Sequence, residues 1–310
     1  MMNVFHSLDS LKSFQNAVIT IGTFDGVHLG HRTIIERINK TAKEIGGESV
    51  IITFHPHPRA VLQPGSVQSL SSIREKTELL EKCGVDNLVI IPFSRDFSEQ
   101  EAEHYIEHFL VKYFHPKQII IGYDHKYGKD RKGDFALLEA NQARFGYTVS
   151  EIDKQTLDNL TISSTKIRTA LKEGDIKQAN DLLGHRYTLS GLVVKGRQNG
   201  RLLGYPTANI QVEESEKLIP RKGIYAVRVK VGHKWFGGML SIGYNPTFEG
   251  THLSVEVNIL DFNRDIYGEF ITVEFIQYMR DELKFSSMED LIKAIDNDKV
   301  NITKVLVETP

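Results

Sequence analysis

Apolar and polar residues alternate along this chain in two ways, and the first pattern covers residues 17–185. Short, nearly continuous apolar runs rich in Val and Ile alternate there with longer stretches of helical periodicity. Such runs are typical of parallel strands that are covered on both faces. The predicted strands are 17–21, 49–54, 87–93 and 117–122, and the predicted helices are His31–Ile45, Ile73–Lys82, Ala102–Phe114 and Phe135–Phe145. This order predicts a doubly wound α/β domain.

The second pattern begins near Leu183–Arg186, after which strand-like segments follow one another with only turns between them. Six such segments lie between Tyr187 and Met279. They indicate a small closed β-barrel or a sandwich. A helix is predicted to follow, with its start at Ser286–Glu289. The sequence therefore predicts two domains, 1–184 and 185–310.

Composition narrows the class of protein. The chain has 310 residues, a formal net charge of −2 and a single cysteine, Cys83. The near-neutral charge gives no electrostatic case for a nucleic-acid or membrane-surface partner. One cysteine excludes an internal disulfide framework and fits a reducing compartment. The N-terminal residues lack the pattern of a signal peptide, and no window has the apolar length of a membrane helix. We therefore expect a cytoplasmic protein without membrane or nucleic-acid partners.

Candidate chemistry begins at Gly22–His31, GTFDGVHLGH, which follows an apolar strand and leads into a predicted helix. A helix start presents unpaired N–H groups and a positive dipole, which attract phosphate. His28 and His31 are three residues apart, so both imidazoles can point at one place and stabilise charge on a phosphate. Two alternatives stay open at this point: ordinary loop histidines, or half of a metal site that needs further ligands such as His55, His57 or Asp124.

A second candidate site lies at Val194–Asn209, where the barrel-like part begins. Glycines at 196, 200 and 204 permit a backbone that wraps phosphates with its own N–H groups. Thr207 and Asn209 are two apart and so share one face of a strand, where their oxygens suit Mg²⁺. Glu256 stands opposite the apolar face of its own strand. The alternative for these residues is an ordinary polar strand face with a solvated glutamate.

Two segments in the first half resemble a known enzyme class. GTFDGVHLGH, together with Ile162–Arg168 (ISSTKIR), is similar to the signatures of nucleotidylyltransferases that share the HIGH-type active site of class I aminoacyl-tRNA synthetases. The resemblance implies a Rossmann-like domain in which His28, His31 and Arg168 are catalytic. It also implies that the ATP-binding residues are Gly22, Phe24, Asp25, Gly30, Ser164 and Thr165.

Further segments resemble the bacterial bifunctional riboflavin kinase/FAD synthetases. In the first half these are FHPHPR (54–59) and GYDHKYG (122–128), which implies flavin contacts from Pro56, His57, Asp124 and Tyr127. In the second half, GYPTAN (204–209) and SVEVNILDF (254–262) match the kinase pattern. There the resemblance implies Glu256 as general base, Thr207 and Asn209 as metal ligands, and Arg280 at the flavin. The implied ATP-binding residues are Gly196, Gly200, Arg201, Gly204 and Pro206.

The resemblance spans about residues 15 to 298 and implies two reactions. A small antiparallel riboflavin kinase-like barrel with a C-terminal helix phosphorylates riboflavin to FMN, and the α/β domain adenylylates FMN with a second ATP. It implies Mg²⁺ at both sites, ATP, riboflavin and FMN as substrates, and a monomer or weak homo-oligomer. Two other functions remain to be tested: a nucleotidylyltransferase for another substrate with a passive barrel, and a flavin-binding protein without turnover.

Overall fold

The protein is described by a computed structural model that covers residues 1–152, 162–196, 198–247 and 250–309. Two compact units are present. The first comprises Met1–Ser69 and Ile73–Ser164, and the second comprises Leu70–Ser72 and Thr165–Pro310. Within the described residues, no helix combines the length and apolar character needed to cross a bilayer.

The first unit is built on a six-stranded parallel sheet with the order β1-β4-β3-β2-β5-β6. The four predicted strands are confirmed. Two edge strands, β1 and β6, were not predicted, because one is very short and the other mixes polar and apolar residues, none of them fully buried. The bounds are β1 Asn3–Phe5, β2 Val18–Ile21, β3 Ser49–His55, β4 Asn87–Pro92, β5 Gln118–Gly122 and β6 Thr148–Ile152.

Alternate strand residues enter two separate cores, one on each face of this sheet. Ile19 and Ile52 belong to one buried cluster, while Val18, Ile51 and Ile120 belong to the other. Both faces are therefore covered, so a side chain is buried whichever way it points. This explains why the central strands are almost continuously apolar. The doubly wound α/β prediction is confirmed.

The helices of the first unit follow the predicted periods with local breaks. The predicted helix 73–82 is confirmed, but the stretch 102–114 has a π-helical middle, Ile106–Val111, and the stretch 135–145 is interrupted at Asn141. The bounds are α1 Leu29–Glu44, α2 Pro58–Leu62, α3 Ile73–Lys82, α4 Arg95–Ser98, α5 Ala102–Tyr105, α6 Lys112–Phe114, α7 Phe135–Ala140 and α8 Gln142–Phe145.

The second unit is a closed barrel of six strands with the order β10-β11-β8-β7-β12-β9, in which neighbours are antiparallel. The barrel alternative is thus confirmed over the sandwich. Its strands are β7 Thr188–Val194, β8 Ala208–Val212, β9 Gly223–Val231, β10 Lys234–Thr247, β11 Gly250–Ile259 and β12 Phe270–Arg280, and its helices are α9 Ser164–Glu173 (which begins on the last residue of the first unit), α10 Ile176–Leu183, α11 Asn199–Leu202 and α12 Met288–Glu308.

The compact units divide at 164–165, so α9 and α10 group with the barrel. The predicted division at 184–185 concerns the two catalytic halves and stays a prediction. Leu70–Ser72 also belongs to the second unit, although it lies within the sequence of the first. The buried Lys217 donates from Nζ to the Leu70 carbonyl at 2.6 Å and lies 4.3 Å from the centre of the Tyr187 ring.

Replacement of Ile51 by Ala tests the packing of the sheet. Ile51 has no exposed surface, so removal of its side chain leaves a cavity between β3 and the helices. We expect the free energy of unfolding to fall by about 2–5 kcal/mol. The measurement is chemical denaturation followed by circular dichroism. Ile45, which is 40% exposed, supplies the control variant Ile45→Ala, and equal losses in the two variants would contradict the assigned core.

Candidate active sites

The turn between β2 and α1 has an unusual backbone. Phe24, Gly26 and Val27 all have positive φ, at 45°, 79° and 41°. Such angles are costly for a bulky or β-branched residue and persist only where the surroundings hold them. Here Phe24 and Val27 are buried in the core of the sheet, and the Thr53 hydroxyl donates to the Thr23 carbonyl at 3.1 Å. The turn is therefore held rigidly at the carboxyl end of β2, the edge of an α/β sheet where ligands bind.

His28 caps the start of α1. Its Nδ1 accepts a hydrogen bond from the main-chain N–H of His31 at 3.3 Å. Because Nδ1 is the acceptor, a neutral His28 carries its proton on Nε2. A Cβ on Gly30 would lie 3.3 Å from the His28 ring, so glycine leaves room for this cap. The sequence of the turn thus fixes both the position and the tautomer of the first histidine.

His31 stacks against His28, with ring centres 3.7 Å apart and planes 13° from parallel. Its Nδ1 is buried and has no hydrogen-bond partner within the described part of the chain. Burial lowers the pKa of His31 well below 6.5, and the neighbouring His28 and Lys76 lower it further. His31 is therefore neutral at pH 7. The two rings can donate or accept hydrogen bonds, but a positive charge on His31 is unfavourable.

The second motif of the first half reaches the same turn through Ser164. The Ser164 hydroxyl donates to the main-chain carbonyl of Asp25 at 3.4 Å, and Asp25 is itself buried. Thr165 is exposed and Arg168 is half-buried on α9. A helix start, a rigid turn and paired imidazoles form a site that suits phosphate.

The metal alternative for the histidine pair gains no ligands. In the ranges that the structure describes, no group of three or more His, Cys, Asp or Glu side chains is arranged to hold a metal ion. His57 instead caps α2, where its Nδ1 accepts from the N–H of Arg59 at 3.1 Å.

The other residues predicted at the flavin follow the carboxyl ends of β3 and β5. Pro56 and Asp124 are exposed. Tyr127 is only 6% exposed and stacks on Tyr105 at 5.1 Å, and its hydroxyl donates to the Asp134 carbonyl at 3.3 Å. The Tyr127 ring is therefore packed inside the protein, and its predicted contact with flavin stays a prediction.

In the second unit, strand register brings Thr207, Asn209 and Glu256 together. Asn209 of β8 pairs directly with Glu256 of β11, and the Thr207 hydroxyl donates to Glu256 Oε2 at 3.0 Å. Val255 and Val257 point into the barrel core, so Glu256 occupies the opposite face of β11. The three oxygen-bearing side chains therefore form one cluster at the end of β8.

The glycines of this segment are required by close packing. A Cβ on Gly196 would lie 2.3 Å from Asn209 Nδ2, and one on Gly200 would lie 2.3 Å from the Tyr205 carbonyl oxygen. Gly204 has a φ of +81°, which favours glycine. The loop is anchored by Asn258, whose Nδ2 donates to the Pro206 carbonyl at 2.7 Å. The glycine-rich loop thus lies directly on the Thr207–Asn209 cluster.

A cavity of about 390 Å³ opens beside this cluster, large enough for a small-molecule ligand. Gln198, Arg201, Pro206 and Thr207 line one side of it, and the connection between β11 and β12 lines the other. Sequence reasoning missed that second wall, for which the only signal was a long loop between two strands. Its lining residues are Phe262, Asn263, Arg264, Asp265, Ile266 and Tyr267.

Arg280 is held by the C-terminal helix. Its Nε and Nη2 bind the two carboxylate oxygens of Asp298 at 2.9 and 2.5 Å, and Asp298 is only 7% exposed. A two-point bond of this kind fixes the guanidinium plane at the end of β12. The predicted contact of Arg280 with flavin stays a prediction.

The lowered pKa of His31 predicts a pH dependence of stability. The unfolded chain takes up a proton near pH 6.5 whereas the folded chain resists it, so stability falls as pH drops below that value. We expect His31→Gln to reduce the loss of unfolding free energy between pH 7 and 5.5 by about 1 kcal/mol. Denaturant titration at both pH values measures it. An unchanged pH dependence in the variant would show that His31 is not buried in its neutral form.

Comparison with known proteins identifies the family of the chain. A FAD synthetase family model matches residues 10–166, and a riboflavin kinase family model matches residues 183–306. A solved structure described as a macrolide-efflux protein from Streptococcus pneumoniae superimposes with a TM-score of 0.82 and 31% identity, over 96% of this chain and 97% of that one.

Curated relatives named bifunctional riboflavin kinase/FMN adenylyltransferase match both units. The protein from Listeria monocytogenes is 42% identical, over 92% of this chain and 90% of its own length. Those from Haemophilus influenzae and Escherichia coli K12 are 39% and 34% identical, over 92% of this chain and 92% and 91% of their own lengths. The chain therefore belongs to the bifunctional riboflavin kinase/FMN adenylyltransferase family, and it is a bifunctional enzyme of FAD biosynthesis.

Proposed function

We propose that the two reactions are divided between residues 1–184, which adenylylate FMN, and residues 185–310, which phosphorylate riboflavin. The single observation that carries the kinase assignment is the 3.0 Å hydrogen bond from Thr207, which lines the cavity, to Glu256. It places a carboxylate beside a hydroxyl and an amide that suit Mg²⁺, next to a loop that suits phosphates.

In the kinase reaction, ATP occupies the cavity and its phosphates lie along Gly196, Gly200 and Gly204, with Arg201 and Pro206 at the wall. Thr207 and Asn209 would hold Mg²⁺, which would neutralise charge on the phosphates when bound. Glu256 accepts the proton of the ribityl hydroxyl while the hydroxyl oxygen attacks the γ-phosphorus of ATP. The O–P bond to ADP breaks as the new O–P bond of FMN forms.

In the adenylyl transfer, a phosphate oxygen of FMN attacks the α-phosphorus of ATP and pyrophosphate leaves. His28, His31 and the start of α1 stabilise charge on the phosphates, with Gly22, Phe24, Asp25 and Gly30 shaping the turn. Ser164, Thr165 and Arg168 are assigned to the ATP phosphates because their segment, ISSTKIR, resembles the second signature of the nucleotidylyltransferases. The protein positions the reactants and forms no covalent intermediate. Mg²⁺ is proposed at this site too.

The flavin contacts belong to the same proposal. Pro56, His57, Asp124 and Tyr127 are assigned to FMN in the first unit, and Arg280 to flavin in the second. The carboxyl ends of β3 and β5 support the first group, since loops at that edge of an α/β sheet line its ligand crevice. We further propose that the protein is a cytoplasmic monomer or weak homo-oligomer. Its near-neutral net charge supports the proposal that it binds no nucleic acid.

Incubation of the protein with riboflavin, ATP and Mg²⁺, followed by chromatography of the products, tests the assignment. Both FMN and FAD are expected. FMN alone would remove adenylylation from the first unit, and the absence of both would overturn the proposal.

Two substitutions separate the reactions. His31→Ala removes a stabiliser of phosphate charge, so FAD formation from FMN is expected to slow by about 10²–10³-fold while riboflavin phosphorylation continues. Glu256→Gln removes the base, so phosphorylation is expected to slow by about 10²–10⁴-fold while adenylylation continues. Steady-state rates of each half-reaction measure this. If either change stopped both reactions in a folded protein, the two sites would not be independent.

Gly200→Ala tests the glycine-rich loop. The added Cβ would lie 2.3 Å from the Tyr205 carbonyl oxygen, which is main chain and cannot swing aside. We expect kcat/KM for riboflavin phosphorylation to fall at least about tenfold, because the loop moves off the phosphates. Gly232→Asn is the matched control, since Gly232 lies in an open hairpin turn with a φ of +59° that Asn tolerates. A normal rate in the Gly200 variant would contradict this role.

A further inference from the structure

His125 is a half-buried histidine that the proposed reactions do not use. It lies in the loop after β5, where its main-chain N–H donates to the Gly122 carbonyl at 3.0 Å. Its ring stacks near Tyr127, with centres 5.8 Å apart and planes 28° from parallel. The Nε2 atom is buried and has no hydrogen-bond partner among residues 1–152 or the other described ranges. A buried polar atom in this state calls for an explanation outside the protein's own contacts.

The topology of the sheet locates this loop. β2 and β5 are parallel neighbours, with Val18 opposite Gln118. From β2 the chain continues to β3 on one side, whereas β5 is followed by β6 on the other side. Open α/β sheets bind ligands outside the carboxyl ends of the strands at such a reversal of strand order. The loop with His125 leaves β5 at the same edge where β2 leads into the His28–His31 turn.

The charge state of His125 narrows the ligand chemistry. Burial lowers the pKa of His125, the Asp124 carboxylate opposes this and Arg131 adds to it, so that the pKa falls to about 4. The ring is therefore neutral at pH 7, with one nitrogen as donor and the other as acceptor. A neutral ring of this kind suits the edge of a heteroaromatic substrate, where uncharged nitrogen and carbonyl groups offer one directional hydrogen bond.

We propose that Nε2 of His125 hydrogen-bonds the polar edge of a heteroaromatic substrate ring in adenylyl transfer, either the flavin of FMN or the adenine of ATP. His125 is thus a specificity-determining residue of the first unit. The inference rests on the proposed function of that unit. It explains why a polar nitrogen is kept in an otherwise aromatic surrounding, with Tyr127 and Tyr105 stacked behind it.

Two amide variants of different reach give the test. In His125→Gln the amide lies near the position of Nε2, and in His125→Asn it lies near that of Nδ1. We expect Asn to raise the KM for one substrate of adenylylation about three- to tenfold, the size of one hydrogen bond, with little change in kcat. Gln is expected to stay close to the wild type. His125→Phe, which keeps a flat ring without nitrogen, should match Asn. His104→Phe, on an exposed histidine of the same unit, is the control.

Each outcome decides the inference. A raised KM for FMN alone identifies the flavin edge, and a raised KM for ATP alone identifies the adenine edge. KM values equal to those of the wild type in the Asn, Gln and Phe variants, with only a lower melting temperature, would overturn the inference. The His125 ring would then have a structural role or a hydrogen bond to water. Failure of the wild-type protein to make FAD would overturn the proposed function instead. Equilibrium titration of the same variants with FMN and with a non-hydrolysable ATP analogue then still decides the role of His125.

Discussion

Close approach of the main chain is the constraint on which both candidate sites depend. Phosphate is recognised at a helix start or a glycine-rich loop only if no side chain keeps the ligand or a supporting group away from the backbone. In the first unit, Gly30 lets the His28 ring lie over the start of α1. In the second, Gly196 and Gly200 let the loop settle on Asn209 and Thr207. The candidate catalytic side chains can take up their positions because these glycines carry no side chain.

The two units solve this problem with different backbones. The parallel sheet buries both faces, so its strand ends leave a rigid edge from which loops with positive φ project. The outer face of the barrel is not needed for the core and can carry polar side chains. The strand register sets Glu256 directly opposite Asn209 on the neighbouring strand. A slip of one residue would turn Glu256 into the core and Val257 out of it. Burial of Val255 and Val257 therefore holds the carboxylate in place.

The sequence predicted most of the fold because the spacing of its apolar residues follows which positions are buried. Central strands such as β3 are recognisable since both of their faces are apolar, and six barrel segments stand out between turns. The edge strand β1 and the π-helical segment Ile106–Val111 leave no such signal. At the candidate sites, glycine and histidine spacing predicted two phosphate-binding turns, and their binding of phosphate stays a prediction. Three features depend on contacts between segments that are distant in sequence, which local sequence patterns do not encode. They are the pairing of Arg280 with Asp298, the burial of Tyr127 and the cavity wall at Phe262–Tyr267.

The three residues Leu70–Ser72 bear on how this enzyme can be divided. They lie in the sequence of the first unit but are built into the second, where the Leu70 carbonyl accepts from the buried ammonium group of Lys217. A polypeptide that starts at residue 185 would lack this carbonyl. The Lys217 ammonium group would then need water or another acceptor in its place, at a cost to the stability of the polypeptide. A single cut of the chain therefore cannot release the second unit with all of its parts, because one of its segments precedes most of the first unit in sequence.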